Sequence, residues 1–166
     1  MMKKIAFISL FLFLASLTST ALASEPVTKL LKNEKPITMT LAHPETPDPR
    51  NFIHAAALDF KKYVEEASAG KISVKITPGG QLGDSAQMLK QIQMGSIEAS
   101  MSIAEGHVAP YYKPIQILAI PYLFVSEDHA QYTMDIRSPF GAKFWDDFEK
   151  KTGVKVLTIW DNGGFR

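Results

Sequence analysis

Residues 71–100 read KISVKITPGGQLGDSAQMLKQIQMGSIEAS, and this stretch limits the fold more than any other. Ile72, Val74 and Ile76 alternate with polar residues, which marks a strand packed on one side or near a sheet edge. Pro78, Gly79 and Gly80 stop it. An amphipathic run from Ser85 to Met94 follows, with Asp84 or Ser85 as its cap, Met88, Leu89 and Ile92 on its apolar side, and Gly95 as its end. Ala99 to Ile103 then reads as another strand. A strand that returns through a helix to a further strand builds a parallel sheet, not a hairpin.

The segments before it extend the pattern. ITMTLAH, Ile37 to His43, reads as a first strand, broken by the proline-rich PETPDP. Residues 51–68 predict a helix. Phe52, Ala56, Tyr63 and Ala67 lie close to one face, joined by Ala55, Phe60 and Val64, and Gly70 is the stop. Strand, helix, strand, helix, strand implies a three-layer α/β sandwich with right-handed crossovers. Residues 107–124 are dense in aromatic and aliphatic side chains and should be mostly buried. Pro110, Pro114 and Pro121 prevent them from forming one helix. A helical stretch is expected from Ser126, with Glu127 and Asp128 in its first turn, and another over about 139–151, with Phe140, Phe144 and Phe148 four apart. VKVLTIW then reads as a strand and DNGGFR as its exit.

The first residues set the compartment. Lys3 and Lys4 precede the apolar run IAFISLFLFLASL, and TSTALA offers small residues at Ala21 and Ala23. This is the pattern of a cleavable signal peptide over 1–23. The apolar core is shorter than the about 20 residues that a membrane span needs. Removal of those 23 residues from the 166 leaves 143, enough for one ordinary domain. Lys plus Arg then falls from 18 to 16 against 17 Asp plus Glu, so the mature charge is −1 and gives no footprint for nucleic acid or an acidic membrane. Cysteine is absent, which removes cysteine-ligated metals and a cysteine nucleophile and suits a bacterial periplasm.

No catalytic set emerges. PGGQLGD lacks the spacing and the lysine of a phosphate-binding loop. His43, His54, His107 and His129 form no metal pattern, and there is no G-x-S-x-G elbow. No enzyme activity, cofactor or metal is expected. His54 and His129 read as ordinary surface or half-buried helix residues. Three positions stand out because they follow strands, where open sheets bind ligands: His43, Glu105 and Arg166. An arginine at such a position offers a fork of donors to a carboxylate.

FKKYVEEASAGKISVKITPGGQLG, MLKQIQMGSIEASM, AIPYLF and GVKVLTIWDNGGFR occur in this order across residues 37–166. Together they resemble the N-terminal half of the periplasmic solute receptors of tripartite ATP-independent periplasmic (TRAP) transporters. The resemblance implies a periplasmic-binding-protein-like fold of two lobes. Residues 24–36 would form a lead-in, 37–160 the first lobe, and 161–166 the start of the crossover to a second lobe. It implies a chain that is a fragment of a longer one, and a monomer when full length.

The resemblance also implies capture of a small organic acid and delivery to the TRAP membrane permease subunits. By family position Arg166 reaches the solute carboxylate, Glu105 and His43 line the cleft, and the PGGQLGDS turn forms a rim that places Gln81 and Ser85 nearby. The family's main carboxylate clamp, in G-x-K-x-R, would lie about twenty residues beyond Arg166. Sialic-acid receptors of the family carry an aspartate where this chain has Ser85, which weakens a sialic-acid assignment. Two alternatives are a binding protein that serves a signalling receptor, which neighbouring genes for membrane subunits would separate, and a secreted α/β enzyme, which turnover of a solute would reveal.

Overall fold

The computed structural model describes residues 29, 31–101 and 103–160. The signal peptide, part of the lead-in, and residues 161–166 with Arg166 lie outside them. The described elements run β1 (Ile37–Ala42), α1 (Phe52–Ala67), β2 (Ile72–Thr77), α2 (Ser85–Gln93), β3 (Ala99–Ser100), α3 (Glu105–Val108), a 3-10 helix (Lys113–Ala119), α4 (Glu127–Met134) and α5 (Pro139–Thr152). The sheet order is β2-β1-β3. β1 and β3 are parallel, with Leu41 opposite Ala99 and Ala42 opposite Ser100. The Ile37 N–H donates to the Lys71 carbonyl and the His43 N–H to the Thr77 carbonyl, six residues on along both strands, so β1 and β2 also run parallel. The expected α/β class with a parallel sheet is therefore the observed one.

The chain divides into two compact units: residues up to Met39 with Ala56–Ile76, and Thr40–Ala55 with Thr77–Arg166. In the first, α1 and β2 are joined by side-chain bonds to the strand backbone. Lys61 Nζ donates to the Val74 carbonyl at 2.7 Å, and Glu65 Oε1 accepts from the Val74 N–H at 2.9 Å. Lys61 and Glu65 also pair with each other, one helical turn apart. The face that α1 buries differs from the expected one. Phe52 and Tyr63 are exposed, while Ile53, Ala57 and Ser68 are buried. Aromatic bulk drew the expected stripe one position away from the smaller residues that meet the neighbours closely.

In the second unit, Ala42, Met88 and Ile97 form one apolar cluster, with Leu82 and Ile92 against it. A larger cluster joins Leu89, Val108, Tyr112, Ile115, Met134, Trp145 and Phe148. The Tyr112 ring stands edge-on to Phe144 and Phe148, and Trp145 Nε1 donates to the Met134 carbonyl at 2.7 Å. Ser138 caps α5, and Gly153 ends it in the left-handed conformation. The C-terminal part of the described chain departs from expectation twice. Within 107–124 only Val108, Tyr112 and Ile115 are buried, and Tyr122 is 83% exposed. The prolines break the segment into short turns that present few side chains inward. VKVLTIW forms no strand, because no described strand pairs with it. Val154, Val156 and Ile159 still pack on the larger cluster.

Candidate functional site

The carboxyl ends of β1 and β2 meet at a laced pair of loops. Beyond β2, the Gly79 N–H donates to the Glu45 carbonyl at 2.7 Å and the Gly80 N–H to the His43 carbonyl at 3.2 Å. Gly79 and Gly80 both have positive φ, near 69° and 66°, which glycine adopts without strain. The turn then enters α2 through a capping box. Asp84 Oδ1 accepts from the Gln87 N–H at 2.8 Å, and Gln87 Oε1 accepts from the Asp84 N–H at 2.9 Å. These mutual bonds satisfy two donors that a helix start otherwise leaves open. On the other side, Asn51 Oδ1 accepts from the backbone N–H groups of Ile53 and His54 and so starts α1.

Within this frame His43 is wholly buried, at 0% exposure. Its Nε2 lies 3.0 Å from His54 Nδ1, a buried side-chain hydrogen bond. The rings are tilted by 56° with centroids 5.2 Å apart. His43 Nδ1 has no hydrogen-bond partner among the described residues. Burial, and then the facing His54, push the His43 imidazole below its ordinary value of 6.5, while the Glu45 carboxylate and backbone pull the other way and are outweighed. Asp48 accepts from Arg50 Nε at Oδ1 and from Arg50 Nη2 at Oδ2 beside this loop, which holds its carboxyl below the usual range.

The other candidate residues are spread around this centre. Gln81 is exposed on the glycine turn, and Ser85 is buried in the first turn of α2. The same turn therefore carries both, tied by Gly80 to His43. Glu105 is exposed at the head of α3, five residues past the end of β3, so it does not follow that strand directly. Sequence reasoning missed His54, which is 9% exposed and bonded to His43, not an ordinary surface or half-buried residue. Its signal is positional: Asn51 is a strong helix cap, and it sets His54 in the first turn, just after a loop that leaves a strand followed directly by a histidine. Among the described residues no group of His, Cys, Asp and Glu is arranged to hold a metal, and no helix is long and apolar enough to cross a membrane.

Residues 43–166 match the sequence profile described as bacterial extracellular solute-binding protein, family 7. The chain belongs to that family. The 2,3-diketo-L-gulonate-binding periplasmic protein YiaO of Escherichia coli K12 is 30% identical over 113 residues, covering 66% of this chain and 32% of that protein. The sugar acid binding protein DctPAm of Advenella mimigardefordensis, solved in complex with galactonate, matches with a TM-score of 0.68 at 27% identity, over 78% of this chain and 40% of that one. A TRAP periplasmic solute binding protein of Desulfovibrio salexigens, solved with bound orotic acid, matches with a TM-score of 0.65 at 30% identity, over 76% and 39%. All three are binding proteins by name. This family-7 chain spans 27–32% of the length of the first curated relatives it matches. Its TRAP solute-receptor resemblance thus holds, over part of the fold.

Proposed function

We propose that the protein captures a small organic acid outside the cytoplasm, by its carboxylate, and passes it to a TRAP permease. The observation that supports this most directly is the fold likeness to a receptor solved with a sugar acid, galactonate. The relatives' solutes, diketogulonate, galactonate and orotate, share a carboxylate on a polar frame of low mass. In this reading the signal peptide over 1–23 exports the chain. Residues 37–160 act as the first lobe of a clamp, and 161–166 lead toward the second.

Arg166 pairs with the solute carboxylate in this scheme. Glu105 and the polar groups of the turn, Gln81 and Ser85, select hydroxyl or amino groups. Each charge-assisted bond contributes roughly 1.5–3 kcal/mol once water is excluded. His43 enters as a buried brace on the rim and not as a freely exposed ligand contact. The test is calorimetric titration of the whole exported protein, purified without solute, against aldonates, uronates, C4-dicarboxylates and orotate. Saturable binding of one acid class, unconverted on recovery, is the expected result. Heat-silent titrations across the panel, with folded protein, would overturn the proposal.

A further inference from the structure

We propose that the His43–His54 pair is an acid-sensitive latch that holds the Gly79–Gly80 turn against the loop after β1 while the pair carries no more than one added proton. The hydrogen bond between two imidazoles needs one N–H and one lone pair. A neutral pair supplies both, and so does a pair with one added proton. A pair with two added protons puts N–H against N–H across 3.0 Å and sets two positive charges side by side in a buried place. His43 Nδ1 makes no hydrogen bond among the described residues, so the bond to His54 is the one that fixes the ring.

The latch reaches the turn through the backbone of His43 itself. Its N–H is held by the Thr77 carbonyl, and its carbonyl holds the Gly80 N–H, while Glu45 two residues on holds the Gly79 N–H. A side chain forced out of its slot would pull on all three bonds. The charged groups acting on the pair come from α1 and from the loop after β1. His54 and Glu45 act on His43, and Asp48, paired to Arg50, acts with His54. β2 and the glycine turn meet His43 through backbone groups. The burial and the His54 repulsion that keep His43 neutral outweigh the pull of Glu45. The inference does not depend on which solute is bound, or on whether one is.

The test is an NMR titration of the whole protein, labelled at histidine ring nitrogens and at backbone amides. Free imidazole titrated under the same conditions serves as the reference. The expected result is that His43 stays neutral to a lower pH than a free imidazole, and that the Gly79 and Gly80 amide signals shift with the His43 midpoint. In His54→Asn the His43 midpoint should rise and its coupling to the glycine amides should weaken. The latch is overturned if His43 titrates like a free imidazole, or if the glycine amides ignore its titration. The wild-type titration decides the question even if the variant does not fold.

Discussion

The Gln87 side chain fills the space that a β-carbon at Gly83 would need. Gly83 also has φ near 99°, where L side chains are strained. Gln87 is not free to leave, because it closes the capping box with Asp84. Gly83→Ala should therefore destabilise the protein by about 1–3 kcal/mol through strain and a broken cap. Asp84→Ala should cost about 1 kcal/mol. Because both act through Gln87, the double variant should lose less than the sum. Urea unfolding of the three variants checks this, and full additivity would refute the shared mechanism.

Tyr112 offers an alkaline marker. Its hydroxyl donates to Asp147 Oδ2 at 2.8 Å, and burial, then that bond, push its phenol up to about 12. The folded value lies above the unfolded value of 10.0, so the fold retains a proton that the unfolded chain releases. This contribution is fully present below pH 10.0 and is lost as pH rises toward about 12. A phenolate absorbance titration should show one late phenol, absent in Tyr112→Phe. The same variant should cost about 1 kcal/mol, since Asp147 keeps its Lys151 partner.

Acid should act through His43 before the carboxylates matter. Its folded value lies below 6.5, so the unfolded chain takes up a proton first as pH falls. Stability contributed by this group is full above pH 6.5, declines below it, and is lost as pH falls through the folded value. Urea midpoints measured downward from neutral pH, with a His43→Gln variant beside the wild type, should show this slope in the wild type alone. Equal slopes in both would assign the effect elsewhere.

Arg166 carries the strongest functional expectation. In the whole protein Arg166→Ala should weaken acid binding about tenfold or more, a loss of about 1.4 kcal/mol or greater. Arg166→Lys should restore charge without the planar fork and recover only part of the affinity. Calorimetry reads both, and an unchanged dissociation constant in the alanine variant would remove Arg166 from the site.

The local parts of the fold were legible because their causes are local. Alternation in ISVKIT, the Asp84 cap and the Gly153 stop each act within a few residues, and β2, α2 and the end of α5 fall where the sequence puts them. The apolar face of α1 was misjudged because Phe52 and Tyr63 look like core by composition, while depth is decided by what packs opposite. VKVLTIW has strand chemistry, yet a strand exists only with a neighbour in register. Of the candidate site, the glycine turn was visible as a strand-to-helix turn and His43 as a strand-end residue. The bond to His54 was not, since it joins a strand end to a helix start across a proline-rich loop whose path no periodicity describes.

Lys61 and Glu65 have a consequence for the life of the protein among its neighbours. β2 is the outermost described strand on its side of the sheet, and the backbone groups of Val74 face outward there. Such a row is an open invitation to any extended chain, including another copy of the same protein. A lysine and a glutamate from the adjoining helix occupy that rung first, one taking the carbonyl and the other the amide. At that rung the sheet edge is thereby given a selvedge, a finished border that resists further weaving.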